Sequence, residues 1–168
     1  MRRIDLELSG GCQCGAVRYH TTQILDNAHI CHCRMCQKAM GNFFAPLVGM
    51  PLDRFEWTRG APSVFESSKG VERGFCANCG TPLFYNNTAT ERIGMTIGSL
   101  DEPERVMPLH QYGIEARLSY FAHLHELEGE LTTEEDDPSF ARAVAARNHQ
   151  HPDRDTQTWT VGGRAGDG

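Results

Sequence analysis

The chain has 168 residues, a formal net charge of −6, 39% hydrophobic residues and 17 glycines. That length predicts one domain with a modest core, and the acidic balance excludes a chain-wide nucleic-acid role, because phosphate contacts need a basic face. No run approaches the ~20 apolar residues of a membrane span, and the opening "MRRIDLELSG" lacks the apolar core of a signal peptide, so a soluble, cytoplasmic chain with no membrane partner is expected.

In chain order, "IDLEL" (4–8) alternates apolar and polar residues as a half-buried strand does. "GAVRYHTT" (15–22) reads as the second arm of a hairpin whose turn carries Cys12 and Cys14. Short strands are predicted at 42–50, 53–58, 63–68 and 71–76, punctuated by Gly, Pro and Asp. "GAP" (60–62) and "KG" (69–70) mark tight turns, the second a hairpin. "TPLFYNN" (81–87) follows another cysteine pair, and "RIGMTIGSL" (92–100) is the best candidate for a central strand. "DEPERVMP" (101–108) is a charged loop, and "LHQYGIE" (109–115) a last strand or an extended segment. After Gly129 the composition changes. Acids followed by a Pro-led run rich in Ala and Arg predict one helix over 138–148, with charges that match its dipole. The Gly- and Asp-rich remainder predicts flexible or loosely docked chain. The expected fold is mainly β with a short C-terminal helix, divided into a domain of residues 1–128 and an extension of 129–168.

The seven cysteines fall into three tight clusters: Cys12 and Cys14, then Cys31, Cys33 and Cys36, then Cys76 and Cys79. An odd count without an export signal argues against a disulfide framework. Zinc takes thiolates tetrahedrally, and ligands one to four residues apart can meet on one ion. Cys76-Ala-Asn-Cys79-Gly80 has the form of a zinc knuckle, with a glycine where a left-handed turn is often needed. Together with Cys12 and Cys14 it makes a four-cysteine structural site. Redox chemistry at the second pair would want a strand-to-helix context, which "TPLFYNN" does not provide.

Cys31, Cys33 and Cys36 remain. Three thiolates leave one tetrahedral position, open to water or a substrate thiol, as in catalytic zinc sites. The alternative is a fourth protein ligand from His29, His110, His123 or His125, which would make this site structural too. His32, held between two ligands, is expected to point elsewhere. A partition that joins the triplet to a member of another pair is also open.

These motifs, "GGCQCGAVRY", "CHCRMCQKAMGNFFAP", "FCANCGTPLFY" and "IGSLDEP", resemble in order and spacing the glutathione-dependent formaldehyde-activating (Gfa) or CENP-V family over roughly residues 8–112. The resemblance implies an Mss4-like β-tent of small antiparallel sheets around a zinc site. It implies that Cys12, Cys14, Cys76 and Cys79 hold a structural zinc. Cys31, Cys33 and Cys36 would hold a second, activity-bearing and more labile zinc. The implied reaction is a carbon–sulfur lyase or synthase step of the S-(hydroxymethyl)glutathione synthase type, joining glutathione to formaldehyde. Glutathione is anionic, so positive charge is expected near the triplet. Arg34 and Lys38 flank it and are candidate substrate contacts, against the plainer reading of a solvated surface. Phe43 and Phe44 could wall a pocket, with core packing as the default. The stretch "GIEARLSYFAHLHELEGEL" (113–131) departs from the family pattern, which bears on substrate more than on fold or metal. A non-catalytic thiol-binding or protein-interaction module is the competing reading, since fold does not fix function.

Overall fold

A computed structural model describes residues 1–131 and 137–160. The acidic stretch 132–136 ahead of the predicted helix, and residues 161–168 of the tail, lie outside the described residues.

Strands β1 (Arg3–Gly11) and β2 (Arg18–Leu25) form the predicted antiparallel hairpin, with Gly11 opposite Arg18 at the cysteine-bearing turn. The chain then runs through β3 (His29–Cys31), helix α1 (Arg34–Met40), β4 (Ala45–Pro51), β5 (Phe55–Arg59), β6 (Ser63–Ser68), β7 (Val71–Phe75), β8 (Pro82–Asn87), β9 (Arg92–Thr96), β10 (His110–Tyr112) and helix α2 (Pro138–Ala145). A three-stranded sheet has the order β1-β2-β5, and a seven-stranded sheet the order β10-β3-β4-β9-β8-β7-β6. Every pair is antiparallel except β10 with β3. No described helix is long and apolar enough to cross a membrane.

The pleat gives the larger sheet two distinct faces, because alternate side chains point to opposite sides. On one face Val48, Met50, Phe84, Ile93 and Met95 are buried with Leu8 and Tyr19 of the smaller sheet. Phe55, Trp57 and Phe84 extend this core as an aromatic group around Tyr19. On the other face, register aligns Arg73 with Tyr85, Tyr85 with Gly94, and Gly94 with Gly49. The two glycines put no side chain of their own in the middle of that row. The Asn27 amide packs over Gly49, and a hollow remains along Gly94.

β9 is the middle strand of seven, as its apolar run predicts. It stops at Thr96, short of residue 100. The Ser99 hydroxyl donates to the Thr96 carbonyl (2.8 Å) and the Leu100 amide to Ile97 (3.1 Å), which closes a 3₁₀ turn instead. Strand β3 and helix α1 are additions to the sequence expectation. α2 is capped by Asp137, whose carboxylate accepts from the Phe140 amide at 3.0 Å. It ends at Ala145 rather than 148. It buries no side chain, so no packing holds a further turn.

The stretch expected to trail or dock loosely makes, over residues 151–160, a set of specific contacts with the first cysteine loop. The His151 amide donates to the Gln13 carbonyl (2.7 Å), and the Trp159 indole donates to the Cys14 carbonyl. Asp155 pairs with Arg18 at 2.7 Å, and Arg18 also meets Asp101 through two parallel bonds of 2.7 and 2.5 Å. Arg18 is 3% exposed, so these carboxylates offset the desolvation of its charge. Residues 151–160 thus form a strap over the first cysteine loop, and Gly15 lies under it at φ 74°, where a Cβ would overlap both the His151 and Trp159 rings. Gly15→Ala therefore meets a left-handed strain of roughly 1–2 kcal/mol and also lifts the strap. We expect a thermal midpoint lower by about 2–8 °C and a red-shifted tryptophan emission. An unchanged melt and spectrum would show that the strap does not depend on this approach.

Candidate metal centres

The first centre joins two loops. Cys12 and Cys14 come from the β1–β2 turn, and Cys76 and Cys79 from the knuckle between β7 and β8. All four sulfurs lie within 4.8 Å of one another. The Cys12–Cys14 and Cys14–Cys76 separations are 3.6 and 3.8 Å. Tetrahedral sulfurs each about 2.3 Å from one zinc are about 3.8 Å apart, so the donor set fits such an ion. The backbone supports the cradle. The Gly80 amide donates to the Cys76 carbonyl (2.9 Å), with Gly80 at φ 77° as the knuckle requires. Thr81 ties the two loops together, its hydroxyl oxygen accepting from the Gln13 amide (3.0 Å) while lying 3.2 Å from the Cys79 sulfur.

Burial pushes the Cys14 and Cys76 thiols up. It acts the same way on Cys79, but the Thr81 hydroxyl and amide together with Cys14 outweigh it and hold that thiol at about 6. Cys79 inclined to ionise, beside Cys14 and Cys76 inclined to stay protonated, makes a donor set from which a bound cation would displace protons.

The second centre is built by the two elements that local sequence patterns do not announce. β3 ends on Cys31, Cys33 is the residue that starts α1, and Cys36 lies in its first turn. Their sulfurs also lie within 4.8 Å of one another. Among the described residues no histidine or carboxylate joins them at that distance. His29 gives its Nδ1 to the Asn27 carbonyl (2.7 Å), His110 is exposed beside it on β10, and His123 and His125 lie near Glu126. His32 turns away as expected, fully buried against Phe44 and Phe121, with Nε2 on the Gln111 amide oxygen at 3.0 Å. Burial pushes Cys31 up to about 12. Burial would also raise Cys33, but the Cys36 amide, the neighbouring thiols and the Arg73 charge prevail and lower it.

The triplet opens on a cavity of about 390 Å³ on the hollow face of the large sheet. Cys31, Cys33, Cys36, Arg73, Tyr85 and Arg92 are among its walls. Arg73 is buried, with Nη2 3.5 Å from the Cys36 sulfur and its guanidinium over the Tyr85 ring at 5.3 Å. The sequence candidates for positive charge lie elsewhere. Arg34 is exposed and donates to Gln37 (3.1 Å), Lys38 is exposed in the last turn of α1, and neither lines the cavity. Phe43 and Phe44 pack against Tyr120 and Phe121 of the 3₁₀ segment Ser119–Glu126, outside the cavity walls. Arg73 and Arg92 are the charged residues that sequence reasoning missed. The period-2 alternation of β7 and β9 places them on a face, but only the cross-strand register brings that face to the cysteines.

A profile of the family described as glutathione-dependent formaldehyde-activating enzyme matches residues 7–114, a span that includes all seven cysteines. A crystal structure of a Rhodobacter sphaeroides protein superposes with a TM-score of 0.51 at 22% identity, covering 61% of this chain and 98% of that one. This likeness concerns the fold alone. The helix α2 and the strap lie outside the matched span.

Proposed function

Because the chain belongs to the glutathione-dependent formaldehyde-activating enzyme family, we propose that it is a zinc-dependent carbon–sulfur lyase or synthase that joins a thiol to a small aldehyde. Glutathione and formaldehyde are the first pair to try. The observation that carries this reading is the cluster Cys31, Cys33 and Cys36, three thiols without a fourth protein ligand among the described residues, facing a cavity. Zinc at such a site supplies Lewis acidity, which favours the thiolate form of an added thiol near neutral pH. Cys12, Cys14, Cys76 and Cys79 would hold a second, structural zinc.

The chain's own residues do the rest. Leu47 and Tyr85 wall the cavity and limit water. Arg73 sets a fixed positive charge beside Cys36, offsetting the charge of the thiolates. In the reaction the substrate sulfur adds its electron pair to the carbonyl carbon. The carbonyl π pair moves to oxygen, and a proton from solvent completes the hydroxymethyl thioether. Seven unpaired cysteines suit a reducing compartment such as the cytoplasm.

Thiols add to formaldehyde unaided, so the test is a rate rather than an end point. Exchange spectroscopy on glutathione–formaldehyde mixtures should show interconversion faster with the protein than without, in proportion to its concentration. A rate equal to the background at all protein concentrations would rule out catalysis. Binding of glutathione without acceleration would make the chain a thiol carrier instead.

A further inference from the structure

The cavity beside the triplet has a charge opposite to that of the whole molecule. The chain carries a net −6, yet among the residues that wall the cavity there are two arginines and no Asp or Glu. Arg73 is 7% exposed, and its Nη1 has no hydrogen-bond partner although it is buried. A guanidinium does not deprotonate in a protein, so a buried one needs negative charge close by. Arg92 forms no ion pair among the described residues, and its Nη1 meets only the Met1 thioether at 3.3 Å, a weak acceptor.

Three thiolates on a divalent ion carry −1, an added thiolate sulfur makes −2, and a carboxylate on the same ligand makes −3. Two arginines return the total to −1. A neutral thiol would leave Arg92 without an anion. Position agrees. Arg73 stands over Tyr85 at the thiol end of the hollow face, while Arg92 lies two residues from Gly94 on β9, the same side of the pleat. The hollow along Gly94, bounded by the Asn27 amide over Gly49, therefore runs from the cysteines past both cations.

We infer that this cavity selects carboxylate-bearing thiols, with Arg92 as the residue that recognises the carboxylate. The inference rests on the triplet accepting an exogenous thiol, and the test separates the two. Cobalt(II) replaces the native metal, and the visible absorption of the thiolate-bound ion reports each added thiol. The probes are 3-mercaptopropionate and its methyl ester, which share a skeleton and differ in charge. The wild-type protein should bind the acid roughly tenfold or more tightly relative to the ester, as a charge-assisted bond warrants. Arg92→Gln should bring that ratio close to one, and Arg92→Lys should restore part of it. Added salt should weaken the acid more than the ester.

A preference unchanged in Arg92→Gln, or a wild-type protein that favours the ester, would overturn the inference while leaving the thiol-accepting centre in place. A spectrum that neither thiol perturbs would overturn the thiol-accepting reading and the inference with it.

Discussion

Cys76→Ser is expected to leave the protein without a cooperative thermal transition. Cys76 has no exposed surface, its amide donates to the Thr81 carbonyl at 3.0 Å, and its sulfur is 3.8 Å from that of Cys14. The site it completes closes the chain between residue 12 and residue 79. A structural zinc contributes about 10–16 kcal/mol at neutral pH, whereas a domain of this kind has a total margin of about 5–15 kcal/mol. A serine at this position would bury a hydroxyl among thiols and provide a much weaker ligand. Circular dichroism should show loss of the β signal on mild heating, and elemental analysis a fall in bound zinc. A cooperative melt near the wild-type midpoint would mean that the hairpin and knuckle hold together without metal.

Cys33→Ser is expected to do the reverse, sparing the fold and removing the chemistry. Cys33 starts α1 without a side-chain cap, and serine is a favourable residue for that place. It belongs to the small cluster around Cys36, Ala45 and Leu47 rather than to the main core. Helix α1 should therefore persist while the three-thiol donor set is broken. Zinc content should fall from two ions per chain toward one, and the protein-dependent rate of adduct formation should drop about 100-fold or more, to background. Retention of the wild-type rate with one zinc bound would place the chemistry outside the triplet.

The parts of this architecture visible in the sequence were those written locally. The β1–β2 hairpin shows as alternation around a Gly-flanked turn. The central place of β9 shows as an apolar run, and both cysteine clusters that could hold metal show as cysteine spacing. The parts that did not show depend on pairing across the chain. β3 has three residues and exists because β4 on one side and β10 on the other both bond to it. Helix α1 has seven residues, too few for periodicity to declare. Arg73 reads as an ordinary charged strand residue until register sets it opposite Tyr85, in line with two glycines. The strap is the extreme case. Its residues are mostly polar, and it is held by ion pairs and carbonyl contacts that composition does not encode.

The strap also has a place in time. The ribosome delivers Cys12 and Cys14 first, Cys76 and Cys79 later, and His151 to Trp159 only after a further stretch of chain, several seconds on at about 5–20 residues per second. During that interval all four thiols exist and the Cys14 carbonyl is still uncovered. A metal ion taken up in that interval would meet the four thiols before the Trp159 indole reaches the Cys14 carbonyl.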